Sequence, residues 1–210
     1  DCNTNPLNPI IGVLGRSFSS DPDLVALHAE AWIEEHRKSG IISCCKHFPG
    51  HGSSRADSHL GLVDISRSWD PEELRPYRLL LEKDAIDMIM TGHLFNNRFD
   101  PNFPATLSGK IIAGLLRAEL GYRGVVISDD MQMRAISDHF GFKEAICKSL
   151  AAGVDMLVFG NNLDYDPDVC RRAVTAVLRG LEENKLTEER VRSALARVAG
   201  LKEQLGKNHE

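Results

Sequence analysis

The segment Ile41–Phe48 reads IISCCKHF, and it is the first of four short apolar runs that decide the fold. The other three are Ile86–Leu94 (IDMIMTGHL), Val125–Asp129 (VVISD) and Val154–Phe159 (VDMLVF). Longer amphipathic stretches separate these runs. Short strands that alternate with helices in this way are typical of βαβ units around a parallel sheet. We therefore expect an α/β fold built from four such units.

The helices between the strands have recognisable ends. Asp21 is a capping residue that stands just before a proline in the first turn of the first helix. Ser108 is expected to cap a later helix, and Gly121 to end it. The predicted helices are Asp21–Lys38, Pro71–Asp84, a Ser108-capped helix that ends at Leu120, Phe142–Ala152, Asp168–Glu183 and Glu188–Leu205.

The length of the chain limits its architecture. The sequence has 210 residues, of which 26% are charged and 42% hydrophobic, and no linker-like stretch interrupts it, so we expect a single domain over residues 1–210. Four βα units are half of an eight-stranded barrel, which typically takes about 250 residues. The expected fold is therefore a (β/α)8 TIM-type barrel of which this chain holds roughly the last four units. An upstream segment or a second copy would complete the barrel.

Charge and cysteine content exclude several kinds of partner. Lys and Arg number 25 against 30 Asp and Glu, and the basic residues are scattered, so we expect no nucleic-acid partner. The apolar runs are far shorter than the roughly 20 residues that span a bilayer, so we expect no membrane partner. The five cysteines are an odd number and lie partly in apolar runs. They favour a reducing compartment, and we expect a cytoplasmic protein.

Polar residues cluster at one end of each of these apolar runs. They are Lys46-His47, Thr91–His93, Ser128–Asp130 and Asn161-Asn162. In parallel α/β folds the carboxyl ends of the strands carry the ligand site, so these four clusters are expected around one mouth.

The segment Lys46–Gly52 (KHFPGHG) and the loop that follows it, as far as His59, carry the densest polar signal. Two glycines and a proline let the backbone approach a ligand, and the loop with Asp57 and His59 suits a mobile catalytic loop. A second signal is the adjacent pair of aspartates in Ser128–Asp130. Because side chains alternate along a strand, only one of the two can easily face the mouth.

Five motifs in a fixed order resemble a known family. They are NPIIG and RSF within Asn8–Phe18, KHFPGHG at Lys46–Gly52, DSH at Asp57–His59, PATLS at Pro104–Ser108, and GVVISDDMQM at Gly124–Met133. Their order and spacing resemble the bacterial β-N-acetylhexosaminidases of glycoside hydrolase family 3, over nearly the whole chain. The DSH element is similar to the N-acetylglucosaminidase branch. The resemblance implies a (β/α)8 barrel that removes terminal, non-reducing β-linked N-acetylglucosamine with retention, as in recycling of peptidoglycan fragments.

This resemblance implies catalytic roles for three residues: Asp129 as the nucleophile, His59 as the general acid/base and Asp57 as the dyad partner of that histidine. Retaining glycosidases commonly use two carboxyl groups, whereas here a histidine replaces one of them. A histidine has an unperturbed pKa of about 6.5, so it can protonate the leaving oxygen and then activate water near neutral pH. Asp57 would fix its tautomer and stabilise the imidazolium.

Substrate contacts are implied for Arg16, Lys46 and His47, which would bind sugar hydroxyls. His93 ends the second strand at the mouth, where two roles stay open: it lines the sugar pocket, as a substrate contact, or it only forms hydrogen bonds within the pocket. The resemblance also implies an amino-sugar glycoside as the substrate, with no cofactor. An upstream Asp and Arg that hold the sugar in the family have no counterpart, because Asp1 lies near the end of what would be the fourth strand. The sequence therefore resembles the C-terminal part of the enzyme.

Other interpretations of these residues stay open. The Lys-His pair could be a solvated strand end, and Asp129-Asp130 could cap the following helix, a role that we expect of Asp130. His51, Asp57 and His59 have the spacing of a plausible metal cluster, but they lie on a loop without the rigid spacing of zinc sites, so we expect no metal.

Two other functions also stay open. A glycoside phosphorylase fits because a histidine acid/base carries no negative charge to repel phosphate. A catalytically silent sugar-binding or interaction module fits because half of the pocket is absent.

Overall fold

Four parallel strands form the central sheet. The computed structural model describes residues 1–57, 61–162 and 164–207, and its α-helices and strands are α1 (Pro22–Lys38), β1 (Cys44–Phe48), β2 (Val63–Asp64), α2 (Arg75–Glu82), β3 (Met88–Thr91), β4 (Leu94–Phe95), β5 (Val125–Asp130), α3 (Arg134–Ser137), α4 (Phe142–Ala152), β6 (Met156–Val158), α5 (Val169–Glu182) and α6 (Glu188–Lys207). The order across the main sheet is β1-β3-β5-β6, with every neighbouring pair parallel. The prediction of an α/β fold with a parallel sheet is confirmed.

Most strands differ from the prediction at their ends. The predicted strand Ile41–Phe48 begins only at Cys44, because the Ser43 N–H donates to the Asp87 carboxylate (2.9 Å) rather than to a neighbouring strand. The predicted strand Ile86–Leu94 is divided into β3 and β4, and β4 pairs with β2 outside the main sheet. The third predicted strand is β5, which extends one residue further than predicted. The fourth is β6, which keeps only the central part of its predicted range.

Two helices differ in kind from the prediction. The helix predicted over Pro71–Asp84 is a 3₁₀-helix, Pro71–Leu74, that continues as α2. The helix predicted after Ser108 is a π-helix, Lys110–Glu119, whose last turn donates to a carbonyl five residues back. The four-residue spacing of its apolar side chains fits an α-helix and a π-helix equally, so the sequence pattern could not separate them. The Ser108 hydroxyl accepts the Ile111 N–H (3.2 Å), in agreement with its predicted capping role.

Apolar side chains from the helices and the sheet form one large core. Burial of this apolar surface is the main force that fixes the helices on the sheet and so holds the strand ends in place. Its fully buried members include Phe48, Ile65, Ile89, Leu94, Ile111, Ile112, Leu116, Val126 and Val154.

Asp155 is a buried carboxylate that joins the last helix to the amino end of the sheet. Its side chain is fully buried, accepts the Val126 N–H (3.0 Å) and pairs with Arg117 (2.8 Å). Arg190 and Arg197, both on α6, reach the same carboxylate at 2.9 and 3.2 Å. Because a buried charge is costly without partners, these contacts fix α6 against β6.

Within residues 1–57, 61–162 and 164–207, no helix combines the length and the apolar composition that crossing a bilayer would require.

Candidate functional site

The carboxyl ends of the main-sheet strands lie along one edge of the sheet. Thr91 of β3 is in register with Phe48 of β1 and with Ser128 of β5, and Asp130 is in register with Val158 of β6. The polar residues at these strand ends are therefore neighbours in space.

The two aspartates at the end of β5 make different contacts. Oδ2 of Asp129 lies 3.9 Å from Nε2 of His47, and about a fifth of the Asp129 side chain is exposed (21%), so a ligand can reach it. Oδ1 of Asp130 instead accepts the N–H groups of Gln132 and Gly160, both at 3.0 Å. Asp130 thus holds the backbone of two loops instead of capping the following helix, α3, whose N-cap position is Met133 without a side-chain hydrogen bond. Asp129, in contrast, faces a histidine.

His47 is oriented by a carboxylate that the sequence did not reveal, that of Asp1. Nδ1 of His47 lies 2.7 Å from Oδ2 of Asp1, and the backbone N–H groups of His47 and His51 both donate to Oδ1 (2.9 Å each). Because the Asp1 carboxylate can only accept a hydrogen bond, the neutral His47 ring carries its proton on Nδ1. The lone pair of Nε2 then points towards Asp129. Burial lowers the pKa of His47, which favours this neutral form, while the negative charge of Asp129 opposes the shift.

His51 belongs to the same site, although the sequence suggested for it only a metal-binding role. Its ring is buried, lies edge-on to the His47 ring with 5.6 Å between centroids, and has Nδ1 2.6 Å from the Ser54 hydroxyl. Burial lowers the pKa of His51 to about 4. A second histidine four residues after the first in a glycine-containing turn was the signal available in the sequence.

The two predicted cationic residues are exposed beside the histidine pair. Nη1 of Arg16 donates to the Ile10 carbonyl (3.1 Å), and the charges of Lys46 and Arg16 both act to lower the pKa of His47. Asp57 is half-buried on the loop that follows the histidines. His59 lies outside the residues that the structure describes.

His93 contacts protein groups through both ring nitrogens. The ring is fully buried, with Nε2 2.9 Å from the Asp130 carbonyl oxygen and Nδ1 2.8 Å from the Thr106 hydroxyl. Thr106 also lies 2.9 Å from the Thr91 hydroxyl, so this network joins the ends of β3 and β5. The structure therefore places His93 beneath the site, as a support for the strand end that carries the two aspartates.

The segment His47–Ser54, called the histidine turn below, is held from two sides. Asn8 Nδ2 donates to the His51 carbonyl (2.6 Å) on one side, and Trp69 Nε1 donates to the Pro49 carbonyl (3.0 Å) on the other. The Lys46–His47 and Phe48–Pro49 peptide bonds are cis. Long-range contacts thus fix the backbone from which His47 and His51 project.

The buried histidines predict that acid destabilises the fold. Burial lowers the pKa of His51 to about 4 and also lowers the pKa of His93. Near pH 6.5 and below, the unfolded chain takes up protons that the folded chain excludes. The free energy of unfolding should therefore decrease as the pH is lowered. For each such histidine the decrease is about 1.4 kcal/mol per pH unit, until the pH reaches the pKa of that histidine in the folded protein.

This prediction is checked by urea unfolding of the full-length protein between about pH 7 and pH 5. His51→Gln should reduce the dependence on pH, whereas His28→Gln, at an exposed helix position, should leave it unchanged. A wild-type protein whose unfolding free energy stays constant over this range would contradict the neutral, buried state of His51.

Fold and site together define an α/β domain with an aspartate and two histidines at the carboxyl ends of its parallel strands. Residues 1–201 match the family model described as the glycosyl hydrolase family 3 N terminal domain. The chain therefore belongs to glycosyl hydrolase family 3, and the family resemblance of its motifs is confirmed.

Similar proteins agree with this family. Beta-hexosaminidase A of Pseudoalteromonas piscicida is 35% identical over an alignment that covers 98% of this chain and 37% of that protein. A solved family 3 beta-N-acetylglucosaminidase from Paenibacillus sp. str. FPU-7 has a TM-score of 0.89 at 35% identity, covering 98% of this chain and 39% of that one. The beta-glucoside phosphorylase BglX has a TM-score of 0.85 at 30% identity, and the match covers 100% of this chain and 38% of that one. The chain thus spans well under half the length of each.

Proposed function

We propose that this chain is part of a retaining glycosidase that removes terminal, non-reducing β-linked N-acetylglucosamine. The observation that carries the proposal is the Asp129 carboxylate. It is partly exposed and faces the carboxylate-oriented His47 at the carboxyl end of the sheet, in a family 3 chain. Relatives named beta-hexosaminidase and beta-N-acetylglucosaminidase support the substrate class.

The reaction has two steps. The Asp129 carboxylate attacks the anomeric carbon while the bond to the leaving oxygen breaks, and His59, oriented by Asp57, gives that oxygen its proton. Water then attacks the same carbon, His59 takes the proton of the water, and the carboxylate of Asp129 leaves. Two displacements at one carbon retain the β configuration.

The remaining residues bind and position. Lys46 and Arg16 are exposed donors beside His47, and with His47 they bind sugar hydroxyls. A guanidinium can bind two oxygens at once, which suits Arg16 to adjacent hydroxyls. His93 supports the pocket from below through its contacts with Asp130 and Thr106.

The architecture of the active protein is a (β/α)8 barrel in which residues 1–210 form one continuous part. The edge of β1 that faces away from β3 supports this proposal. There the backbone nitrogen of Asp1 donates to the Lys46 carbonyl (2.8 Å), and a cavity of about 480 Å³ lies against the same strand. The greater length of the relatives favours a further segment of the same protein, rather than a second copy, as the element that completes the barrel, and we propose that this segment lies upstream.

We also propose a cytoplasmic location and peptidoglycan fragments as the natural substrates. All five cysteines belong to the described part of the chain and are free thiols, which supports a reducing compartment.

A phosphorylase is the second candidate function. The observation that favours it is the likeness to BglX over the whole of this chain. In that case phosphate, rather than water, attacks the glycosyl-enzyme.

One assay separates these functions. The full-length protein that contains this chain is incubated with a chromogenic β-N-acetylglucosaminide, with and without phosphate, and the products are followed by NMR. Release of the β-anomer of N-acetylglucosamine is expected. N-acetylglucosamine 1-phosphate as the main product would establish the phosphorylase. Absence of turnover would leave a catalytically silent sugar-binding module as the remaining interpretation.

A further inference from the structure

We propose that Glu73 is a positioning residue for proton transfer, because it fixes the backbone of the histidine turn from which the loop carrying Asp57 departs. This inference rests on the proposed glycosidase function. Glu73 lies on the 3₁₀-helix Pro71–Leu74, far from Asp57 in sequence, and none of the motifs in the chain includes it.

Glu73 contacts the histidine turn directly. The residue is 1% exposed, and its Oε2 accepts the Gly52 N–H (2.9 Å). The side chain covers Gly50, whose φ is +123°, so closely that a Cβ there would lie 2.6 Å from Cβ and from Oε2 of Glu73. Glu73 therefore fixes the Gly52 N–H and packs against the backbone of Gly50.

The opposite side of the turn is packed against the first residues of the chain. A Cβ on Gly52 would lie 1.4 Å from the Cys2 carbonyl oxygen, and the Asn5 N–H donates to the Gly52 carbonyl (3.1 Å). Gly52 is thus confined between Cys2 and Glu73. Its orientation sets the direction in which the backbone leaves the turn, and Asp57 follows five residues later.

Stability alone gives a poor account of this carboxyl group. Burial raises the pKa of Glu73, so ionising it in this position costs free energy. Among the residues that the structure describes, no hydrogen-bonding partner reaches its other oxygen, Oε1, which is buried. A buried polar atom without a partner is unfavourable. What the carboxyl group supplies is the acceptor for the Gly52 N–H, and an apolar side chain of similar size would lack it.

The test measures how activity depends on the leaving group in the full-length protein. Glu73→Leu removes the acceptor, Glu73→Gln keeps an oxygen at the same distance, and Glu72→Leu is the control at the exposed neighbouring position. Each variant is assayed on a methyl glycoside, which needs protonation of its leaving oxygen, and on a dinitrophenyl glycoside, which does not. His59→Ala is assayed alongside as the reference for lost proton transfer.

Glu73→Leu should lower kcat/KM for the methyl glycoside by about 10²-fold, with a much smaller loss on the dinitrophenyl glycoside, because a small misplacement of a catalytic group costs about that much. Glu73→Gln should restore most of the activity, and Glu72→Leu should match the wild type. If Glu73→Leu does not fold, Glu73→Asp, which withdraws the carboxylate by one methylene, gives the same comparison.

Three results would refute the role of Glu73 while leaving the glycosidase intact. The first is an equal loss of kcat/KM on the two substrates in Glu73→Leu, the second is a Glu73→Gln variant as impaired as Glu73→Leu, and the third is unchanged activity in Glu73→Leu. In each case His59→Ala must show the leaving-group effect. Absence of wild-type turnover would instead refute the proposed function, and this inference with it.

Discussion

Replacement of Asp129 by alanine should abolish N-acetylglucosaminidase activity in the full-length protein, with kcat/KM lower by about 10³-fold or more. The carboxylate that faces His47 at 3.9 Å is the group that forms the covalent intermediate in the proposed mechanism. Removal of a nucleophile leaves only the contributions of substrate binding and of the other catalytic groups. Steady-state kinetics on a chromogenic N-acetylglucosaminide measures the loss.

Asp130→Asn is the matched control for this prediction. The asparagine retains an oxygen that can accept the N–H groups of Gln132 and Gly160, so it should retain far more activity than Asp129→Ala. A fluorinated slow substrate should label Asp129 covalently, as seen by peptide mass spectrometry. A label on Asp130 or on Asp57 would show that the nucleophile is wrongly assigned.

The second large effect concerns His59. We expect His59→Ala to lower kcat/KM by about 10²–10⁴-fold on glycosides with poor leaving groups, and far less on activated aryl glycosides. The reason is that general acid catalysis helps in proportion to the need of the leaving oxygen for a proton. The measurement is the slope of log kcat/KM against the leaving-group pKa.

Asp57→Ala should show the same pattern in weaker form, since the histidine would remain without its partner carboxylate. If kcat/KM of the His59 variant falls by the same factor for every leaving group, this histidine binds sugar or maintains structure instead.

The arrangement of Lys46, His47 and Asp129 could be anticipated from the sequence because it follows from local signals and one general rule. Short apolar runs mark the strands, and parallel neighbours bring their carboxyl ends to one edge. Residues at the carboxyl ends of two such runs must then be close. The 3.9 Å between His47 and Asp129 is an outcome of that rule.

The groups that orient those residues could not be anticipated, because their contacts depend on tertiary packing. Asp1 and His47 are 46 residues apart and Gly52 and Glu73 are 21 apart, and no periodic pattern connects either pair. The direction of the His93 ring was equally inaccessible. Its position after a strand was correct, but the chain turns away from the main sheet after Thr91, and the ring enters the protein interior.

Asp155 imposes an order on the folding of the chain during synthesis. A ribosome completes β6 before it begins α6, so Asp155 emerges when Arg117 is its one available partner of the three arginines that pair with it in the folded protein. Until α6 is made, Arg117 alone balances the charge of the carboxylate, and water occupies the positions that Arg190 and Arg197 take in the folded protein. We therefore expect the amino end of the sheet to reach its final packing together with the last helix rather than ahead of it.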